Sequence, residues 1–308
     1  MKILVPNYYD KFKCIADKCT HSCCIGWEID IDTEKLNYYN SLSGDLGNML
    51  KENIATEPEP HFILKEGDRC PFLKDNGLCH IICCLGEEAL CNICTDHPRF
   101  RNYCEKGVEM GIGLCCEEAC KVILTATEPF SLVGCDDIYS DYEKHIADIR
   151  HKLISVVQDR NLSLTDAFEN ILDIADAKIS GTAFEEYVKF FLSLERLDES
   201  WTNLLEDALS MEDSGFANCN SKEFRIPLEQ LAVYFLYRHV PAVIYGETMA
   251  SVVGFSVLST LFIHTLALKT KENYPSYIDA LCNVARMYSS EVEYSDDNLQ
   301  SVFMELSF

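Results

Sequence analysis

The placement of cysteine constrains this chain more than any other feature of its sequence. Fourteen of the seventeen cysteines lie between Cys14 and Cys120, mostly in short groups. The groups are Cys14-x4-Cys19-x3-Cys23-Cys24, Cys70 with Cys79, Cys91-x2-Cys94, and Cys115-Cys116. Thiolates that share a metal must converge to about 2.3 Å from it, which favours ligands in tight turns with partners far along the chain. The spacing therefore predicts a cysteine-ligated metal site.

Disulfides and redox catalysis explain the same cysteines less well. Disulfides need an oxidising compartment, and the opening Met1-Lys2-Ile3-Leu4-Val5-Pro6 lacks the apolar core of an export signal. Adjacent cysteines such as Cys23 and Cys24 cannot form an ordinary unstrained bridge with each other. Redox catalysis needs a single CxxC pair. We expect the isolated distal cysteines to be structural: Cys135, Cys219 and Cys282.

The spacing favours an iron–sulfur cluster and leaves zinc as the alternative. Zinc sites usually combine two CxxC pairs at regular separation, often with a histidine, and only Cys91 and Cys94 form such a pair here. Irregular runs suit a cluster, which spaces its ligands more widely than one ion does. The C-x3-C-x2-C run of a radical S-adenosylmethionine cluster is absent from the sequence.

The charge balance restricts the class of partner. Lys and Arg total 26 against 50 Asp and Glu, which gives a formal net charge of −24. Nucleic-acid binders need a basic face, so we expect no nucleic acid and no anionic membrane surface as partner. The charge favours solubility and is compatible with a lysine-rich partner. We expect no apolar run to span a membrane, and the closest approach to such a length is Ala250 to Leu268. The sequence therefore predicts a cytoplasmic protein.

The periodicity predicts a mainly α fold in two domains. An irregular cysteine-rich metal domain is expected over residues 1–130 and an α-helical bundle over residues 131–308. In the first domain we expect helices over Asp32–Leu50, Leu85–Cys94 and Cys116–Thr127, and a turn at Gly111-x-Gly113. In the second we expect helices over Tyr142–Gln158, Leu164–Ile179, Phe184–Leu194, Trp201–Leu209, Leu228–Val240, Met249–Leu268, Ser276–Tyr288 and Asp296–Leu306, with a linker over Asp213–Asn220.

Several motifs together resemble the flagellin lysine-N-methylase family, from about Tyr8 to at least His239. The cysteine region contributes Tyr9-x2-Phe12-x-Cys14, Cys19-x3-Cys23-Cys24-x-Gly26-Trp27, Cys70-Pro71-Phe72-Leu73, Gly77-Leu78-Cys79, Leu85-Gly86-Glu87-Glu88-x-Leu90-Cys91-x2-Cys94, Pro98-Arg99 and Cys116-x-Glu118-Ala119. The helical region contributes Leu194-x2-Leu197-x3-Trp201 and Glu229-x-Leu231-x-Val233-Tyr234-Phe235-x-Tyr237-Arg238-His239.

The resemblance implies an enzyme that N-methylates lysines of flagellin with S-adenosylmethionine and an iron–sulfur cluster, expected to be [4Fe–4S]. By position it implies nine metal-ligand candidates: Cys14, Cys19, Cys23, Cys24, Cys70, Cys79, Cys91, Cys94 and Cys116. Other cysteines of the region lie outside the family pattern: Cys83, Cys84, Cys104, Cys115 and Cys120. Nine candidates exceed the four ligands of one [4Fe–4S] cluster, so either several are structural or two centres exist.

The residues that would handle the cofactor are less defined. The Rossmann signature is absent, which motivates the hypothesis that S-adenosylmethionine binds directly at an open iron position. Arg99 is a candidate for cofactor binding, because its guanidinium can hold a carboxylate or donate hydrogen bonds to cluster sulfurs. The alternative is a salt bridge that fixes its loop. Arg238 and His239 are expected to stabilise a helix end. The sequence assigns no catalytic base and no oligomeric state.

Two non-enzymatic functions stay open at this point. One is a metal-binding module that holds zinc or a cluster for structural or delivery purposes, and the other is an electron-transfer protein.

Overall fold

The computed structural model describes residues 2–179, 183–210 and 215–306. In chain order, its strands and helices are β1 (Lys2–Pro6), α1 (Thr33–Ser41), α2 (Gly44–Glu52), β2 (Ile54–Ala55), β3 (His61–Phe62), α3 (His80–Leu85), α4 (Asn92–Asp96), β4 (Arg99–Cys104), β5 (Gly107–Ile112), α5 (Glu117–Leu124), β6 (Leu132–Gly134), α6 (Asp141–Val157), α7 (Leu164–Ala175), α8 (Phe184–Ser193), α9 (Glu199–Leu209), α10 (Lys222–His239), α11 (Met249–Thr270), α12 (Tyr277–Tyr288) and α13 (Asp296–Glu305). The prediction of a mainly α protein is confirmed.

The chain forms two compact units. The cysteine unit is Lys13–Phe100, and the helical unit combines Met1–Phe12 with Arg101–Phe308. This division differs from the sequence-based one at residue 130, because the residues after Phe100 pack with the helices. In particular, β5 pairs with β1, and α5 packs against α10 and α12. The cysteine unit is therefore inserted into the helical unit along the chain.

A four-stranded sheet belongs to the helical unit, in the order β4-β5-β1-β6. Strand β1 runs parallel to β5, with Ile3 opposite Val108, and antiparallel to β6, with Val5 opposite Val133. The sequence analysis predicted no strands, and it was wrong to place a turn at Gly111-x-Gly113, since Gly111 lies within β5. All four strands are short, and β1 pairs with β5 and β6 across about a hundred residues or more, so the sequence gives little local alternation from which to predict the sheet.

The longest helix, α11, is at the core of the helical unit and packs against α7, α10, α12 and α13. The segment Met249–Asn273, which comprises α11 and the 3-10 turn after it, is long and apolar enough to cross a membrane by length and composition, contrary to the sequence-based expectation. Most of it is buried within the unit. Buried hydroxyls on α11 bond back to the preceding turn: Ser256 Oγ donates to the Val252 carbonyl at 2.9 Å and Thr260 Oγ1 to the Ser256 carbonyl at 2.7 Å. These bonds let a helix with several polar residues lie in an apolar core.

The predicted helices of this unit are confirmed to within a few residues. Ser163 caps α7 by accepting from the Asp166 amide, as predicted, and α7 ends at Ala175 because Asp176 adopts a left-handed conformation. Helix α10 begins six residues earlier than predicted, with Pro227 in its second turn. The predicted linker over Asp213–Asn220 lies partly outside the described residues; 215–220 have no regular structure.

The cysteine unit is built from short elements around a compact core. The prediction of one helix over Asp32–Leu50 was wrong: Leu42 is extended, and α1 and α2 are separate. Gly47 makes this corner possible, because a Cβ there would lie 2.5 Å from the Leu42 carbonyl oxygen. The predicted helix over Leu85–Cys94 was also wrong, since Gly86, with a φ of 89°, ends α3, and α4 begins only at Asn92.

Aromatic contacts link the elements of this core. The rings of Tyr39 on α1 and Phe62 on β3 lie 6.1 Å apart, and Phe62 meets Phe72 edge-to-face at 4.9 Å. The remaining buried members are Ile29, Ile31, Leu50, Cys70, Leu73, Ile81, Ala89 and Cys91. Two cysteines are therefore part of the core that holds the unit together.

Candidate metal centre

Five of the nine predicted ligands belong to one core cluster of the cysteine unit. Cys70 and Cys91 are buried in it, and Cys24, Cys79 and Cys94 are half-buried against it. The backbone brings the first two groups together, because the Cys70 amide donates to the Cys24 carbonyl at 2.9 Å. None of the five forms a disulfide. We call these residues the core thiols.

Cys91 and Cys94 form the tightest pair of thiols. Cys91 is the N-cap residue of α4, and the Cys94 amide donates back to the Cys91 carbonyl at 3.1 Å. Their Sγ atoms lie 3.4 Å apart. Two thiolates on one tetrahedral metal ion would lie roughly 3.8 Å apart, given bonds of about 2.3 Å. A small side-chain rotation would therefore suit the pair to one metal.

The start of α4 is anchored to α1. Asp32 is the N-cap of α1, and its carboxylate accepts from the Lys35 amide at 3.0 Å and from the Asn92 amide at 2.8 Å. Thr95 closes the turn on the other side by donating from Oγ1 to the Cys91 carbonyl at 2.8 Å. Cys91 is thus fixed by its neighbours in the chain and by a helix from another part of the unit.

Negative charge on the core thiols is costly without a cation. Burial raises the pKa of Cys70 to about 12 and also raises that of Cys79. The hydrogen bond between Cys91 and Cys94 lowers the pKa of Cys91 and raises that of Cys94, and nearby Cys24 and Cys70 raise the latter further. Cys24 is a second exception beside Cys91, since a hydrogen bond with Cys23 lowers the pKa of Cys24 to about 7. A bound metal cation would compensate these charges.

The other predicted ligands are not part of this cluster. Cys14 and Cys23 are exposed and Cys19 is half-buried, all on the loop before α1. Cys116 belongs to the helical unit, where it is the N-cap residue of α5. The structure thus brings together five of the nine candidates within one core and leaves the others outside it.

The cysteines outside the family pattern are divided between the units. Cys83 and Cys84 are exposed on α3, and the Cys84 Sγ lies 3.6 Å from His80 Nε2. Cys120 is buried in the helical unit, and its thiol donates to the Leu114 carbonyl at 2.9 Å. Cys104 and Cys115 are half-buried in the same unit.

Sequence reasoning missed His97, which lies three residues after Cys94. Its Nε2 is buried and has no hydrogen-bond partner. Burial also lowers the pKa of His97 to about 4, which keeps the ring neutral. The available signal was the spacing Cys91-x2-Cys94-x2-His97, in which an imidazole continues a metal-binding pair.

Within residues 2–179, 183–210 and 215–306, no three His, Cys, Asp or Glu side chains already hold the geometry of a metal site. The donor chemistry nevertheless fits one. Core thiols without disulfides and a buried ring nitrogen without a partner are groups that a soft or borderline metal ion binds. A metal ion bound in the cysteine unit would therefore require rotation of these side chains.

Arg99, the predicted cofactor-binding residue, contacts the backbone of α4. Its Nη1 donates to the Thr95 carbonyl at 3.2 Å, one of the last carbonyls of the helix. This contact fixes the segment after α4. A role for Arg99 toward a cofactor stays a prediction.

The helical unit contains a separate buried polar network. Glu293, in a π-helical turn after α12, accepts from the Tyr234 hydroxyl at 3.1 Å and contacts His239 Nε2 at 2.6 Å. Arg238 Nε lies 3.4 Å from the same carboxylate. Arg238 and His239 end α10 as predicted. Glu293 is the charge partner of Arg238 and the hydrogen-bond partner of His239, and the sequence did not reveal it.

Comparison with known proteins gives distant relatives. The chain is 27% identical over 135 residues to the Lysine-N-methylase of Salmonella typhimurium, a match that covers 41% of this chain and 33% of that protein. The Lysine-N-methylase of Salmonella choleraesuis matches to the same extent. The Flagellar biosynthetic protein FliU of Salmonella muenchen is 27% identical over 135 residues, which are 79% of its length.

These relatives support the resemblance to lysine-N-methylases. The chain spans about a third of the length of the Lysine-N-methylases it matches. No family model matches the chain, and no solved structure matches it.

Proposed function

We propose that this chain takes part in the N-methylation of protein lysines, with flagellin as substrate and S-adenosylmethionine as methyl donor. The observation that carries the proposal is the 135-residue similarity to proteins named Lysine-N-methylase and Flagellar biosynthetic protein FliU. The formal charge of −24 agrees with a lysine-bearing partner, because opposite charges accelerate encounter.

The second part of the proposal is an iron–sulfur cluster of the [4Fe–4S] type in the cysteine unit. Such a cluster takes up to four thiolates, so the core thiols suffice without the exposed cysteines or Cys116. A cluster held by three of the core thiols would leave one iron without a protein ligand, and that iron would supply a Lewis-acidic site for S-adenosylmethionine. Free thiols and clusters persist in a reducing compartment, so we place the protein in the cytoplasm.

The chain's own residues contribute shielding and positioning. Cys70 and Cys91 lie among Phe62, Phe72 and Tyr39, and this apolar shell excludes water from the thiols. In methyl transfer, the neutral lysine nitrogen bonds to the methyl carbon while the carbon–sulfur bond breaks and its electron pair stays on sulfur. Positioning of nitrogen, carbon and sulfur in line contributes much of the rate of such a reaction.

Co-expression with flagellin tests the proposal. Intact-mass analysis of the purified flagellin should show added mass in steps of one methyl group when this chain is present. The Cys91→Ser variant should abolish the increments, whereas Cys83→Ser, at an exposed cysteine on α3, should retain them. Flagellin of unchanged mass with the wild-type chain and an adequate S-adenosylmethionine supply would contradict the proposed activity.

A structural zinc ion is the second candidate role for the same thiols. The burial of Cys70 and Cys91 within the core favours it, because structural zinc sites are closed and contribute to folding. Metal and sulfide analysis after anaerobic purification separates the two. Stoichiometric iron with acid-labile sulfide supports the cluster, and stoichiometric zinc in a colourless protein supports the structural role.

A further inference from the structure

Two other histidines of the cysteine unit have described hydrogen-bond contacts, and His97 differs from both. His61 Nδ1 lies 2.7 Å from the Glu59 carbonyl oxygen, and His80 Nε2 lies 3.6 Å from the Cys84 thiol. His97 Nε2 is buried without any such partner. A buried nitrogen that makes no hydrogen bond loses the solvation it had in water, so such an atom in a folded protein calls for a partner.

The position of His97 places it beside the CxxC pair. The His97 amide donates to the Ile93 carbonyl at 3.1 Å, so the helical turn of α4 continues up to this residue. Residues three apart on a helix have Cβ atoms about 5–6 Å apart on one face. Cys91 is the N-cap residue of α4 and His97 its C-cap residue, so Cys94 lies three residues from each along one short helical turn.

A tryptophan connects His97 to the loop that carries Cys23 and Cys24. The rings of Trp27 and His97 lie 6.0 Å apart, and Trp27 Nε1 donates to the Cys23 carbonyl at 2.6 Å. Cys24 in turn accepts the backbone hydrogen bond of Cys70. The imidazole thus lies between α4 and the loop whose cysteine joins the core thiols.

We propose that His97 Nε2 is a nitrogen ligand of the metal centre, which completes a mixed thiolate–imidazole set with Cys91 and Cys94. The ligand class is iron, in a cluster, or zinc, both of which neutral imidazole binds. Rotation of the His97 and cysteine side chains brings the three donors to the metal, because they are not preformed as a trio. The inference rests on the metal centre of the proposed function, and it adds a nitrogen ligand to the cysteine ligands of that centre.

X-ray absorption at the K-edge of the bound metal tests the proposal, since imidazole produces outer-shell scattering that thiolate does not. The protein is purified anaerobically, and the edge is chosen by whether it holds iron or zinc. The wild-type spectrum should contain the scattering of one imidazole. The His97→Phe variant, which retains an aromatic ring against Trp27, should lose that signal. Metal affinity, from competition with a coloured chelator, should fall about tenfold or more. His80→Phe is the matched control and should retain both signal and affinity.

Three results would overturn the inference. They are wild-type metal without imidazole scattering, scattering that persists in His97→Phe, and wild-type protein that binds neither iron nor zinc. If His97→Phe fails to fold, His97→Cys supplies a sulfur donor and should keep the metal while losing the imidazole signal. Flagellin methylation is measured separately on the same preparations. Methylation by a protein whose metal lacks imidazole would overturn this inference and leave the proposed function standing.

Discussion

The hydroxyl of Tyr39 on α1 donates a 2.7 Å hydrogen bond to the carbonyl oxygen of Ala89, two residues before Cys91. Both residues are buried, and the bond joins a helix of the cysteine unit to the segment that leads into the CxxC pair. Because the Asp32 carboxylate also binds the amide of Asn92, Cys91 is held from both sides. Helix α1 and its N-cap therefore hold the backbone on both sides of Cys91, although α1 carries none of the core thiols.

Removing that hydroxyl should destabilise the cysteine unit. In Tyr39→Phe the Ala89 carbonyl loses its side-chain donor inside the core, which we expect to cost about 1–3 kcal/mol of unfolding free energy. Urea unfolding followed by circular dichroism measures the change. Tyr38→Phe alters the neighbouring, partly exposed ring and should have little effect. Equal stabilities of the two variants would contradict the role assigned to the bond.

Serine substitutions should separate ligands from bystanders among the cysteines. Cys91→Ser and Cys94→Ser remove core thiols and should reduce the metal bound per chain several-fold, because serine is a poor ligand for soft metals. Cys83→Ser and Cys84→Ser change exposed thiols and should leave the metal content unchanged. Elemental analysis of anaerobically purified protein gives the result. Equal loss from all four variants would exclude the core thiols as the specific ligands.

A buried ion pair in the helical unit should be sensitive to loss of one partner. Arg150 on α6 donates from Nη1 to the Glu109 carboxylate on β5 at 2.8 Å, and both side chains are nearly inaccessible to solvent. Glu109→Gln leaves the guanidinium without its counter-charge, which we expect to cost about 3–5 kcal/mol of unfolding free energy.

Urea unfolding again measures this effect. Asp137→Asn removes an exposed pair with Lys2 in the same unit and serves as the control, which should change stability little. The double variant Glu109→Gln with Arg150→Met should recover part of the loss, because it leaves no unpaired charge. A Glu109→Gln protein as stable as the control would contradict the assignment.

His264 should make stability depend on pH. Its Nδ1 lies 2.8 Å from the Tyr277 hydroxyl and its Nε2 lies 3.3 Å from the Asn218 carbonyl, which requires Nε2 to be the protonated nitrogen. Burial lowers the pKa of His264, so the folded state binds fewer protons than the unfolded state below about pH 6.5. This contribution to stability is complete above that pH and is lost as the pH falls, by at most about 1.4 kcal/mol per pH unit.

The free energy of unfolding, measured at about pH 7.5 and about pH 5.5, tests the direction of the pH dependence and whether His264 causes it. His264→Gln removes the titrating ring and should reduce the loss of stability on acidification. His151→Gln alters an exposed histidine on α6 and should leave the loss as it is in the wild type. The explanation fails if His264→Gln and the wild type lose the same stability.

The helices could be predicted because their signals are local. The apolar period and Ser163 as N-cap gave α7, and α6 was expected over Tyr142–Gln158 and found over Asp141–Val157. Strand β1 gave no comparable signal, since five residues hold few alternations and its partner β5 lies a hundred residues away. Pairing of that kind depends on tertiary packing, which sequence periodicity does not report.

The cysteine groups could likewise be predicted, and their grouping in space could not. The family pattern makes both Cys14 and Cys24 ligand candidates. Only Cys24 packs against the core, because its carbonyl accepts a hydrogen bond from the Cys70 amide. The histidine at position 97 was passed over since the sequence shows the spacing of His97 but not the burial of its Nε2.

The insertion of the cysteine unit has a consequence for how this chain is synthesised. Strand β1 leaves the ribosome about a hundred residues before β5, beside which it lies in the folded sheet. At translation rates of about 5–20 residues per second, β1 waits roughly 5–20 seconds without its neighbour. The cysteine unit is synthesised within that interval, because it ends at Phe100, before β5 begins at Gly107. If the proposed metal centre forms on the nascent chain, a shortage of iron or zinc would act before the helical unit has closed its sheet.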